Sequence, residues 1–295
     1  MIDFLGETAF TSQQMFSLGS FSGLVEMARD FSPRPQITHV VFDFDGTLSW
    51  LRHGWPQIMA RLFRSHLPPR PGETEAGLQQ MLLAEILSLN GKPSIFQMRR
   101  CAELAEARGA PRPDPEKLLQ AYQHSLNGAI ARRVRRISKG DVPRDAYVVF
   151  GARGLIENLR RRGLTLVILS GTAEPQVRKE AALLGLASYF GKHIYGGTAD
   201  LAGSSKSAVI DRLIAQEHLA GDRLLSFGDG PIEIQITKSV GGLAVAVASD
   251  EEVNGSGRPD PAKRQLLLGA GADLLVPDYR DADALADRLL GNGPV

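Results

Sequence analysis

Apolar positions along this chain change their period from one region to the next. A β-branched and apolar run begins near Ile37 and ends at Phe42, as in a strand buried within a sheet. From about 50 to 146 the apolar positions recur every three or four residues. Trp55, Ile58, Met59, Leu62 and Phe63 predict one helix, broken by Pro68-Pro69-Arg70-Pro71-Gly72. Leu78, Met81, Leu82, Ile86 and Leu87 predict a second, and residues 95–108 and 115–137 a third and a fourth. From Tyr147 short apolar runs return at 164–169, 193–195, 224–227, 243–247 and 274–276, with helical patterns at 152–162, at 173–184 and after Ser205. Ahead of the first strand, Phe16, Leu18, Phe21, Leu24, Val25 and Met27 are spaced loosely like one amphipathic helix, ended by Ser32-Pro33-Arg34-Pro35.

Strands alternating with helices imply an α/β fold with a doubly wound parallel sheet, and a ligand site beyond the carboxyl ends of its strands. The expected organisation is an N-terminal extension over 1–35, an α/β core of 36–49 and 147–295, and a helical insertion over 50–146. An insertion of that size can form a small domain of its own. Its two linkers, near Ser49 and Tyr147, suit a hinge.

Composition narrows the class. Of 295 residues 43% are hydrophobic, enough for a sizeable core, and the one cysteine, Cys101, excludes an intrachain disulfide framework. No run of eighteen apolar residues appears and the N-terminus carries no basic, then apolar, leader, so a soluble cytoplasmic protein without a membrane partner is expected. Net charge is +1, but residues 50–146 hold sixteen Lys or Arg against nine Asp or Glu, a surplus of +7. A basic segment beside an acidic one suits an anionic substrate between them. The run Arg132-Arg133-Val134-Arg135-Arg136 is a weak nucleic-acid signal; without a binding motif, a nucleic-acid partner is disfavoured.

The chemistry gathers at strand ends. Asp43 and Asp45 follow the first strand one residue apart, so they would leave it on the same side. Two carboxylates at the end of a buried strand call for a cation, and Mg²⁺, a hard ion with oxygen ligands, fits. Gly46 permits a tight turn, and Thr47 offers a hydroxyl and an N–H to an oxyanion. Ser170 and Gly171 follow the strand at 164–169, where a hydroxyl and free N–H groups suit phosphate oxygens; capping of the next helix, with Thr172 as N-cap, is the ordinary alternative. Lys206 opens a predicted helix, against the preference of cations for the other end. Asp229 follows the strand at 224–227 and would be a third carboxylate facing the metal, or a plain turn residue before Gly230. Glu233 lies one helical turn further on.

Asp43-Phe44-Asp45-Gly46-Thr47, Ser170, Lys206 and Gly228-Asp229 through Glu233 together resemble, in order, the four motifs of haloacid dehalogenase-like (HAD) phosphohydrolases. Glu233 departs from the family's GDxxxD. The resemblance implies a Rossmann-like core with a C1-type helical cap that selects the substrate. It implies Asp43 as the nucleophile, Asp45 as acid and base, and Ser170 and Lys206 on the phosphoryl oxygens. Mg²⁺ would lie on Asp43, Asp45 and Asp229, with Glu233 orienting its water. Dehalogenases of the family lack an acid at the second position, so Asp45 favours phosphoryl chemistry. Arg52 and His53, beside Trp50 and Trp55, are candidates for substrate contact at the junction of cap and core. The expected activity is hydrolysis of a small phosphorylated metabolite, with a sugar phosphate as best guess. A phosphomutase on the same core and a non-catalytic binding module are the alternatives, and a homo-oligomer is left open.

Overall fold

A computed structural model describes residues 15–18, 21–90, 93–197 and 206–291. The chain opens with two short strands, β1 (Met15–Ser17) and β2 (Glu26–Ala28), followed by β3 (His39–Phe42). Four helices come next: α1 (Trp55–Arg64), α2 (Glu75–Ser88), α3 (Ile95–Glu106) and α4 (Pro115–Ser138). Then α5 (Ala152–Arg161), β4 (Thr165–Ala173), α6 (Glu174–Leu183), α7 (Ala187–Phe190), β5 (Ile194–Gly197) and α8 (Lys206–Gln216) alternate. The remainder is β6 (Leu224–Gly228), α9 (Pro231–Ser239), β7 (Leu243–Val247), α10 (Pro261–Gly269), β8 (Leu274–Val276) and α11 (Ala282–Leu290).

The eight strands form one sheet in the order β1-β2-β8-β7-β6-β3-β4-β5. Among the described strands all pairings from β8 to β5 are parallel, and the β1–β2 and β2–β8 pairings are antiparallel. The strand β3 is central, with Phe42 opposite Ile168 on one side and Phe227 on the other. Later strands lie on both sides of it, so the strand order reverses there and the carboxyl ends of β3, β4 and β6 open a crevice. Both faces of β3 are covered. Phe42 stacks on Phe227 at 4.8 Å between ring centroids and meets the edge of Phe190, while Val41 packs on the opposite face with Val167 and Ile210.

The four helices α1 to α4 bury a hydrophobic cluster of their own, which includes Met59, Phe63, Leu82, Met98 and Leu118. Two of them start on side-chain caps: Thr74 Oγ1 accepts from Gly77 N and Asp114 Oδ1 from Glu116 N. The chain runs into and out of this insertion side by side. Trp50 N donates to Tyr147 O and Val149 N to Leu48 O, at 2.8 and 2.9 Å. None of the described helices is long and apolar enough to cross a membrane.

The N-terminal pattern folds differently from the amphipathic helix that its spacing suggested. β1 and β2 form a hairpin on the edge of the sheet beside β8. Between the strands Leu24 is exposed and Val25 is buried, and Gly23 leaves room for Pro277 and Arg280 close by. Residues 1–14, the first part of the expected extension, lie outside the described residues.

Candidate active site

Asp43 leaves β3 in the register of the sheet, with its N–H donating to Phe227 O at 2.9 Å. The next residues fold back at once: Gly46 N donates to Ser49 O, and Leu48 N and Ser49 N both donate to Phe44 O. Gly46 has φ +78°, and a Cβ there would come within 2.0 Å of Asp229 Oδ2. Glycine therefore serves both the left-handed turn and the close approach of the loop after β3 to the loop after β6.

That approach gathers the charged side chains. Lys206 Nζ, on the first residue of α8, lies 2.5 Å from Asp43 Oδ1 and also contacts Glu233. Asp43 and Lys206 are almost wholly enclosed. Burial pushes the Asp43 carboxyl well above its usual range, Lys206 opposes that push, and Glu233 and Asp229 add to it. Burial disfavours the Lys206 ammonium, but Asp43 and Glu233 outweigh it and hold its pKa above the ordinary value. Burial raises Asp229 to about 6, against the pull of Lys263. The group is short of positive charge, the condition in which a hard divalent cation binds to oxygen donors.

Asp43, Asp45, Ser170, Gly171, Lys206, Asp229 and Glu233 all line one cleft of about 1460 Å³ between the sheet and the insertion, together with Arg52 and His53. Several roles differ from those expected. β4 continues through Ala173, so Ser170, Gly171 and Thr172 belong to the strand and not to a helix start. Ser170 Oγ accepts from Thr172 N at 3.1 Å, and Thr172 Oγ1 donates to Asp45 Oδ2 at 2.8 Å instead of capping α6. Thr47 is fully buried, with no partner for its hydroxyl, and stands outside the cleft lining, so an oxyanion contact from its side chain is not available. Glu233 contacts Lys206, and its second carboxylate oxygen is buried without a partner. The residues 203–205 ahead of Lys206 lie outside the described residues.

Arg52 is not a free anion receptor. Its Nη1 lies 2.6 Å from Asp45 Oδ1 and 2.5 Å from Glu180 Oε2, and its Nη2 lies 3.0 Å from Glu180 Oε1. His53 stacks on Trp50 at 3.7 Å, and burial, helped by Arg133, lowers its pKa to about 4. It is therefore a neutral ring at pH 7 and cannot act as a cationic clamp. Among the described residues, the other basic side chains of the insertion do not line the cleft either. Arg64 pairs with Glu75, Arg100 with Glu85, Arg108 with Glu73 and Arg112 with Glu106. Within the arginine-rich end of α4, Arg133 donates to Leu51 O and Arg136 to Tyr147 Oη, tying the helix to the core.

Behind Asp229 lies a network that the motif reading missed. Lys263, 1% exposed, contacts Asp229 Oδ2 at 3.1 Å, Glu251 Oε1 at 2.6 Å and Ser249 Oγ at 3.1 Å. Ser249 Oγ donates to Gly46 O, and Glu251 Oε2 accepts from Gly54 N at the start of α1. A signal was present: Lys263 shares the apolar i, i+4 face of Leu267, and Glu180 sits between Val177 and Ala181 on the buried face of α6.

A family model described as haloacid dehalogenase-like hydrolase matches residues 40–232. The chain belongs to that family. Solved structures of HAD-like proteins share its fold. One from Haemophilus somnus 129pt, described as a predicted phosphoglycolate phosphatase, has a TM-score of 0.57 at 15% identity, covering 85% of this chain and 98% of its own. A HAD family hydrolase from Deinococcus radiodurans R1, solved with bound phosphate and sodium, has a TM-score of 0.57 at 18% identity, covering 87% and 98%. A predicted phosphatase from Clostridium acetobutylicum has a TM-score of 0.54 at 18% identity, covering 86% and 99%. No curated protein matches the chain. Hydrolases of this family generally use a divalent metal ion. Among the described residues no group of three or more His, Cys, Asp or Glu side chains is arranged to hold one. The cleft carries the Asp43 and Asp229 carboxylates, oxygen donors of the kind a hard divalent cation takes, in a set small enough to leave most of its shell to water.

Proposed function

We propose that this HAD-like hydrolase is a phosphatase that releases inorganic phosphate from a small phosphorylated metabolite, a sugar phosphate by preference, through an aspartyl-phosphate on Asp43. The observation that carries this reading is the enclosure of Asp43 against Lys206 in a cleft that also holds Asp45, Asp229 and Ser170.

A carboxylate oxygen of Asp43 attacks phosphorus, and the bond to the leaving oxygen breaks. Asp45 gives that oxygen a proton, then takes one from the water that opens the aspartyl-phosphate and regenerates the Asp43 carboxylate. Thr172 and Arg52 fix both oxygens of Asp45 in place for this exchange. Ser170 and Lys206 meet the phosphoryl oxygens, where fixed donors stabilise the charge of the transition state. Attack of an anion on an anion is the main obstacle: two unit charges 4 Å apart repel by ~4 kcal/mol at an effective dielectric near 20. Lys206 offsets part of that repulsion. Mg²⁺, held by Asp43, Asp229 and the Asp45 carbonyl, would supply further shielding of the nucleophile and the phosphoryl group. The helical insertion would serve as a cap, hinged on the paired segments around Ser49 and Val148, that excludes water during the reaction.

The test is phosphate release from a panel of phosphorylated metabolites, with Mg²⁺ and with EDTA. Mg²⁺-dependent release that Asp43→Asn abolishes is the expected result. Conversion of a substrate to its isomer without phosphate release would point to a mutase instead, and a folded protein inert toward every compound would remove the phosphatase reading.

A further inference from the structure

The cleft has two unlike walls. Its sheet side carries the charge, and its far side is built from the insertion: Trp55, Ser94, Gln97, Tyr122, Gln123 and Leu126. None of these six is ionised at neutral pH. Among the described lining residues the cations are Arg52 and Lys206, and the carboxylates are Asp43, Asp45, Glu174, Asp229, Glu233 and Glu251. Both cations are already engaged, Lys206 with Asp43 and Glu233 and Arg52 with Asp45 and Glu180. His53, lowered to about 4, adds no charge.

The phosphoryl group has its partners at the sheet. The organic part of the substrate, which must extend toward the insertion, meets aromatic rings, amides and hydroxyls. Trp55 offers a half-buried indole face. Tyr122 has a buried ring that lines the cleft, and burial raises the pKa of its phenol, which stays a neutral hydroxyl. Such a surface suits a hydroxyl-bearing group, whose rings or carbons lie on aromatic faces and whose oxygens exchange hydrogen bonds. A carboxylate or a second phosphate there would lose its water without gaining a cation from the described residues and would face an excess of like charge.

We infer that the cleft selects phosphate monoesters whose organic part is uncharged and hydroxylated, and rejects those that carry a second anionic group. This rests on the phosphatase reading and makes it more specific. It also separates this chain from what the Haemophilus somnus relative is described as doing, since phosphoglycolate carries a carboxylate beside its phosphate.

Matched substrates test it. The full-length protein is assayed with Mg²⁺ on 2-hydroxyethyl phosphate against phosphoglycolate, and on sorbitol 6-phosphate against 6-phosphogluconate, with p-nitrophenyl phosphate as reference. The expected kcat/KM is lower by roughly tenfold or more for the carboxylate member of each pair, as like charges without a partner dictate. Gln123→Arg, at an exposed helical position that tolerates the change, places a cation on the far wall and should narrow that gap. Equal or better use of the carboxylate members by the parent protein would overturn the inference, as would a gap unmoved by Gln123→Arg. The two readings fail separately: hydrolysis of p-nitrophenyl phosphate that Asp43→Asn abolishes upholds the phosphatase whichever way the pairs fall. No hydrolysis of the reference or of any pair member removes both.

Discussion

Lys263 Nζ stands 3.1 Å from Asp229 Oδ2, on a lysine that is 1% exposed. Burial disfavours its ammonium, but Glu251 and Asp229 outweigh burial and hold the charge in place. Removing one partner of a buried ionic group costs ~3–5 kcal/mol, because the others are left charged without compensation. Lys263→Met should therefore lower the urea midpoint strongly, and adding Glu251→Gln should recover part of the loss. A single variant as stable as the parent would mean that the network is slack.

The pairing of Arg52 with Asp45 predicts a dependence on the leaving group. Losing Arg52 frees one oxygen of Asp45, and the proton transfer suffers most when the departing alkoxide needs that proton. Arg52→Gln should reduce kcat on an alkyl phosphate by ~10²-fold, the scale of general-acid catalysis, and affect p-nitrophenyl phosphate far less. Equal losses on both substrates would assign Arg52 to holding the insertion in place.

For Asp43→Asn the expected outcome is a loss of turnover by ~10³-fold or more, since no other side chain replaces the nucleophile. Stability should not fall with it. The amide removes a carboxylate that is buried beside Glu233 and Asp229, and Lys206 keeps Glu233. Thermal unfolding of the two proteins side by side decides the point; a large drop in midpoint would show that Asp43 is needed for folding.

His53 makes stability sensitive to mild acid. Its pKa falls from 6.5 in the unfolded chain to about 4 in the folded one, chiefly through burial. Between those values the unfolded chain binds a proton that the folded protein refuses, so stability rises with pH across that window and declines as pH drops through it. His53→Gln should flatten the pH dependence of the unfolding midpoint there. An unchanged slope would place the acid sensitivity on another group.

Much of the fold could be read from residue pattern alone, because the signals were long. The apolar periodicity marked each of the four insertion helices, and the buried runs marked β3, β4, β6, β7 and β8. The hairpin of β1 and β2 escaped because each strand has three residues, too few for a period of two to stand out from a loose helical spacing. At the site, Asp43, Asp45, Lys206 and Asp229 announced themselves by their places at strand ends and a helix start. Arg52 and His53 reach the cleft as expected, but their partners could not be read, because charge in a sequence does not say what faces it. Glu180 lies 128 positions from Arg52, and only folding shows that the two neutralise each other. Lys263 belongs to a helix beyond the matched family region, so no motif pointed to it.

The N-terminal hairpin has a consequence for how copies of this protein meet. Strand β8 has three residues, and β2 covers the side that β7 leaves open. A chain begun at β3 would present that side bare, with backbone groups set to pair with whatever strand came near. The first strands thus work as a gasket over β8: they cover its open side and move the edge of the sheet out to β1, and trimming them would favour molecules joined edge to edge at β8.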